Sequence, residues 1–174
     1  PTPSCPCTFG FGTSSPGWTT GDKYNAFTRR SGSTPSTATG PSAGVSSSSP
    51  FYYFAETSGG SAGKLFDLAY DGSACAAKGG VSTVDFSYHM YGATMGTLKL
   101  LTGDGAVAWS LKGDQGNKWV AVKKVRVYSA SFSFEYAMGS SFTGDAAIAR
   151  VIVACGQAPP ASPSSPPGQS PTAR

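Results

Sequence analysis

From Phe51 onward the chain is a succession of short β-branched and aromatic runs, each closed by a glycine-rich turn. Runs of that length suit strands, and their spacing is that of an all-β sandwich or barrel. They predict strands over Phe51 to Thr57, Leu65 to Ala69, Val81 to Tyr91, Gly96 to Leu101, Val107 to Leu111, Trp119 to Tyr128, Phe132 to Ala137 and Ala146 to Cys155. Upstream, Phe9 and Phe11 alternate as a further strand, for roughly eight to ten in all. Thr102-Gly103-Asp104-Gly105 supplies the positive-φ residues of a hairpin loop, so the runs on either side of it should pair. Side chains alternate along a strand, which puts Phe86, Tyr88 and Met90 on one face and His89 and Tyr91 on the other. Such a strand is expected at the centre of its sheet.

With 174 residues the chain has room for one domain plus appendages. Residues 1–6 form a short extension, 7–155 the domain and 156–174 a tail. No charged residue lies between Arg30 and Glu56, and Ser31 to Pro50 is mostly Ser, Thr, Gly and Pro, a long loop. After Cys155 the composition turns to Pro, Ser, Ala, Gly and Gln, which cannot build a core. Its Pro-Pro and Ser-Pro steps favour polyproline II, a semi-rigid arm of ~3.1 Å per residue. Such an arm is a spacer, a docking strand or a glycan carrier. Candidate O-glycan or hydroxyproline positions are Pro159, Pro160, Ser162, Pro163, Ser164, Ser165, Pro166, Pro167, Ser170 and Pro171.

The net charge of +4 is scattered, with Lys123, Lys124 and Arg126 the nearest thing to a cluster. Nucleic-acid binders concentrate their cations among stacking aromatics, so nucleic acid is not an expected partner. No run approaches the ~20 apolar residues of a membrane span, and no basic-then-apolar leader opens the chain. A secreted form is therefore expected to have lost its signal. Cys5, Cys7, Cys75 and Cys155 lack the paired C-x-x-C clusters of a structural zinc site, and read as disulfide partners in an oxidising compartment. A bond between Cys5 and Cys7 would close a very small ring, so each is expected to reach a distant partner. If every bond is internal, one of the two joins Cys75 and the other Cys155; if Cys75 pairs with Cys155, Cys5 and Cys7 remain for a neighbouring subunit.

Catalytic chemistry finds little to work with. His89 is the one histidine and lies in an apolar, aromatic run, where a packed structural role is the expectation. No G-x-S-x-G elbow precedes a helix. Glu56, Glu135 and Asp145 would have to converge to ~5 to 9.5 Å to cleave a glycoside, while turn and capping roles are commoner for such residues. Trp18, Trp109 and Trp119 offer stacking faces for sugars, against the plainer reading that they fill the sandwich. Asn25 and Asn117 are not followed by Ser or Thr at the second position, so N-glycosylation is not expected. No enzyme activity, cofactor or metal is expected.

Phe86-Ser87-Tyr88-His89-Met90-Tyr91-Gly92 followed by Met95-Gly96-Thr97-Leu98 resembles the central signature of MAM domains, F-x-Y-H-M-Y-G-x-x-M-G-x-L. In the same order, Trp109, Gly113, Gln115-Gly116 and Trp119 resemble the family's W-x(n)-G-x-Q-G-x-x-W segment. Phe132-Ser133-Phe134-Glu135 with Gly139 resembles its penultimate strand, and Gly144-Asp145-Ala146-Ala147-Ile148 resembles G-D-I-A-I. Gly17-Trp18, Thr39-Gly40-Pro41-Ser42 and Phe54-x-Glu56 fit upstream, and Cys155 stands where the family's last cysteine closes the domain. The resemblance implies a jelly-roll-like antiparallel β-sandwich. It also implies an extracellular adhesive or structural module that binds proteins, copies of itself first, with a glycoprotein filament or matrix subunit as the variant favoured for this chain. A lectin-like, carbohydrate-binding sandwich is the alternative.

The departures are specific. Pro16 stands where the family often has its second cysteine, and Cys75 lies eight residues before the position near Thr83 where its third would fall. In the family the last two cysteines pair, which would join Cys75 to Cys155. Where MAM domains hold calcium they draw on acidic positions such as those that here are Gly10, Gly44, Ala149 and Arg150, Gly44 and Val45 replacing an Asp-His pair. Calcium takes six to eight oxygen ligands, several anionic, and Asp145 alone does not supply them.

Overall fold

The computed structural model describes residues 6–163, and these form two face-packed sheets of six strands each. Twelve strands run through the described residues: β1 Cys7–Phe9, β2 Trp18–Thr20, β3 Asn25–Ala26, β4 Thr28–Ser31, β5 Phe51–Phe54, β6 Leu65–Tyr70, β7 Val81–Met90, β8 Thr97–Thr102, β9 Val107–Lys112, β10 Trp119–Ser129, β11 Phe132–Ala137 and β12 Ala146–Cys155. The front sheet has the order β10-β7-β12-β5-β4, with β1 beside β12; the back sheet has the order β2-β6-β11-β8-β9, with β3 on β6. All pairs are antiparallel except the two-residue β3 against β6. This is the expected all-β, jelly-roll-like sandwich, with more strands than the roughly eight to ten read from the sequence. The additional ones are the short polar strands β2, β3 and β4, which local patterning does not announce.

Alternation builds the core. Phe66, Leu68 and Tyr70 of β6, Leu98 and Leu100 of β8, and Phe132, Phe134 and Tyr136 of β11 face Val84, Phe86, Tyr88 and Met90 of β7 and Val151 and Val153 of β12. The β8–β9 pairing expected from the Thr102-Gly103-Asp104-Gly105 turn is present, Leu100 opposite Trp109. Strand β7 lies between β10 and β12, with Phe86, Tyr88 and Met90 in the core as the alternation predicts. Its signature glycines follow from close approach: a Cβ on Gly96 would collide with the Ala137 carbonyl, and one on Gly92, at φ 146, with that of Thr143.

Between β6 and β7 the chain makes a 3-10 turn, Ser73–Lys78, that carries buried Cys75 against the end of β12. The Cys75–Cys155 disulfide closes there, Cα atoms 5.1 Å apart across 80 residues of sequence. The back-to-front crossover is thereby tied to the last strand. At the far side of the front sheet, β10 pairs with β7 alone among the described residues and is broken by bulges after Val122 and Arg126, with Lys124 and Tyr128 at positive φ.

Candidate functional site

The outer face of the front sheet is not open. The 32–50 loop lies across it, enclosing a second small cluster of Tyr52, Phe54, Ala147 and Ala149, flanked by Val45 and Trp119. Trp119 Nε1 donates to the Ala43 carbonyl at 2.9 Å, which holds the loop down. His89 is 2% exposed in this layer, its ring 5.4 Å from Trp119, with Nε2 and the Asn117 Oδ1 3.1 Å apart. Burial pushes its pKa below the usual histidine value, the Asn117 hydrogen bond opposing. A neutral ring shut under a loop is a packing element.

Asp145 has been drawn into the same structural role. It is fully buried at the start of β12, where its Oδ1 accepts from Thr57 N at 3.0 Å and Thr57 Oγ1 at 2.8 Å. Its own N–H donates to Thr39 Oγ1 at 2.8 Å, and the Thr39 hydroxyl reaches the Tyr91 carbonyl at 3.0 Å. The loop and the end of β7 are therefore linked to the backbone of Asp145, and the turn after β5 to its carboxylate. Burial raises its pKa to about 6, against the lowering effect of the Thr57 hydrogen bonds, and nearby Glu56 adds to the rise. Oδ2 has no partner, so the proton taken up near that pH belongs there. The residues here do not fit calcium: Oδ1 is occupied, and among the described residues no group of three or more His, Cys, Asp or Glu side chains is placed to hold a metal ion.

Of the other two candidate carboxylates, Glu56 lies near Asp145 and Glu135 does not. Glu135 stands on the outer face of the back sheet, 3.7 Å from Lys99 Nζ, and Glu56 accepts the Ser58 N–H at 3.0 Å in a turn. Glu135 and Asp145 do not form a pair, since they belong to different sheets. Near Glu135, Asp67 gathers the backbone N–H groups of Asp22, Lys23 and Tyr24, folding the 21–24 turn over the strands. A groove of about 310 Å³ results, bordered by the polar side chains of Asp22, Tyr24, Asp71, Thr102, Ser133 and Glu135 together with Leu101 and Phe132.

A second, more apolar groove of about 440 Å³ runs beside β1. One wall is Cys7–Phe9, the other Ser73 and Ala74 of the 3-10 turn, with Tyr70 and Pro16 between. Phe9 and Tyr70 belong to an aromatic stack with Trp18, ring centroids 5.2 to 5.5 Å apart. Four separate stretches of sequence build this groove, and no motif in any of them marks it.

Cys7 is disulfide-bonded, yet to neither Cys75 nor Cys155. The connectivity joining the N-terminal cysteines to those two is excluded, as is a Cys7 thiol kept for another subunit; Cys5 lies outside the described residues. In the tail, Pro159, Pro160, Ser162 and Pro163 are exposed, while Ser164, Ser165, Pro166, Pro167, Ser170 and Pro171 lie outside the described residues. No helix among the described residues is long and apolar enough to cross a membrane.

Two packed sheets, a covered signature histidine and a buried Gly-Asp carboxylate describe a β-sandwich whose motif residues serve architecture. Residues 7–155 match the family model of the MAM domain, meprin/A5/mu, and the chain belongs to that family. It is 35% identical over 155 residues to the human MAM domain-containing glycosylphosphatidylinositol anchor protein 1, covering 82% of this chain and 15% of that protein. Among solved structures, the K2 cleaved adhesin domain of Lys-gingipain superposes with a TM-score of 0.56 at 11% identity, covering 84% of this chain and 99% of that one. The K1 cleaved adhesin domain of Lys-gingipain from Porphyromonas gingivalis W83 gives 0.54 at 13%, covering 86% and 97%. At such identities the likeness concerns the fold.

Proposed function

We propose that this chain is an extracellular protein-binding module, not a catalyst, whose first partner is another copy of itself in a filament or matrix. The observation that carries this is the MAM match across residues 7–155. A relative named for a glycosylphosphatidylinositol anchor supports a place outside the cytoplasm, as does the Cys75–Cys155 disulfide. Against catalysis stand the burial of His89 and of Asp145. The exposed Pro159, Pro160, Ser162 and Pro163 suit a projecting arm open to hydroxylation or O-glycosylation.

Sedimentation velocity across a micromolar concentration series tests the reading. A reversible, concentration-dependent rise in sedimentation coefficient is expected. The groove of Asp22, Tyr24, Asp71 and Glu135 favours one other reading, a site for hydroxyl-rich glycans. Saturable binding on a glycan array by a chain that stays monomeric would replace the first reading with that one.

A further inference from the structure

We propose that the groove beside β1 is the acceptor for the proline-rich arm of a second copy, so that copies join arm to groove. This rests on the self-association reading above and names its contact. The groove has the chemistry for such a ligand. Phe9, Tyr70, Pro16 and Ala74 give it an apolar lining, and its 440 Å³ falls among the ~300–1,000 Å³ clefts that take compact ligands. No strand lies on the far side of β1 among the described residues, so the groove runs along a strand edge. Aromatic-lined grooves take polyproline II segments at low entropic cost because the ligand is already extended, and its carbonyls are not bonded internally.

The arm has the matching periodicity. Polyproline II turns once every three residues, and Pro160, Pro163 and Pro166 recur at that interval, one face of such a helix. Pro159 and Pro167 fall off that face.

The arm's exit bears on the choice between its own groove and a neighbour's. It leaves beside the groove wall, Cys155 Sγ 3.9 Å from the Ala74 carbonyl and Gly156 N–H bonded to Gly80 O at 3.0 Å. From Gln157 to Pro163 it is exposed, and none of these residues lines the groove. The described part of the arm thus leaves its own groove unfilled, and a contact in which one copy's arm enters the next copy's groove is head-to-tail, the kind that grows into open chains.

The test uses the full chain and two variants of it. Pro160→Ala/Pro163→Ala/Pro166→Ala removes the arm's repeating face; Ser14→Arg/Pro16→Arg fills the groove from exposed positions outside the core. Unchanged near-ultraviolet circular dichroism establishes that both are folded. Each variant alone should weaken self-association at least about tenfold in sedimentation velocity, whereas Pro159→Ala/Pro167→Ala should not. An equimolar mixture of the two variants should form dimers and stop there, since it holds one intact arm and one intact groove per pair. A synthetic peptide of residues 156–170 should compete with wild-type association and shift Trp18 fluorescence. Association that persists in both variants overturns the arm-to-groove contact and leaves self-association standing. A wild-type chain monomeric at about 1 mM overturns both, and a peptide that binds a chain which never associates overturns exchange between copies.

Discussion

The two sheets of the sandwich differ in how many of their faces are covered. In the back sheet, β11 alternates strictly between buried and part-exposed residues, because one side meets the core and the other meets solvent. In the front sheet, Phe86 to Met90 of β7 are all buried, as are Ala146 to Ala149 of β12, because the 32–50 loop closes the second side. Where both faces are covered, the outward positions go to small or neutral polar residues such as Ser87, His89, Ala147 and Ala149. The covering loop is made to match. A stretch with no charge between Arg30 and Glu56 can lie on a sheet without stranding an ion there.

The largest expected effect comes from the bond that ties the crossover between the sheets to β12. Replacing Cys75 and Cys155 together by Ala frees an 80-residue loop, worth about 4.5 kcal/mol in the chain-entropy model. Urea unfolding should show that loss; a change under about 1 kcal/mol would mean that packing alone fastens the crossover.

Next comes the carboxylate under the loop. With its pKa raised to about 6, Asp145 keeps a proton in the folded state that the unfolded chain has given up above about pH 4. Stability is accordingly expected to fall as the pH rises through that window, with the full penalty present above about pH 6 and a size of up to ~3 kcal/mol. Asp145→Asn cannot ionise, and the difference between its unfolding free energy and that of wild type should change by that amount from pH 4 to pH 7. Parallel pH profiles would show that the buried carboxyl titrates normally.

The smallest effect contrasts the two outer faces directly. Trp119→Ala removes the loop's anchor and should cost about 1–2 kcal/mol, less than a full core truncation because the indole is only half-buried. It should also raise amide exchange across residues 32–50 while leaving β6 and β11 protected. Glu135→Gln on the open face should stay within about 0.5 kcal/mol. Equal costs at the two positions would erase the distinction between a covered and an open sheet.

Much of the fold was legible because its strongest strands are also its most regular in pattern. The segments from Phe51 to Cys155 match the observed strands closely, and Phe132–Ala137 and Ala146–Cys155 match at both ends. What escaped has a physical reason in each case. Trp18–Thr20 and Asn25–Ala26 are strands only because β6 offers them an edge, and Thr28–Ser31 because β5 does. The Ser31 to Pro50 stretch reads as loop and, apart from Ser31, is one; that it covers His89 depends on contacts such as Trp119 to Ala43, distant in sequence. The β1 groove was invisible for the same reason, being assembled from residues near positions 7, 16, 70 and 74.

The irregular edge at β10 also bears on what a concentrated solution of this protein can become. An eleven-residue strand paired on one side only, among the described residues, is a template on which another chain's strand can add, the first step towards cross-β deposits. Two bulges break the row of amides into short pieces, and exposed Lys123, Lys124 and Arg126 set like charge against like when two such edges meet. Sheet-to-sheet zippering through this edge is thus disfavoured.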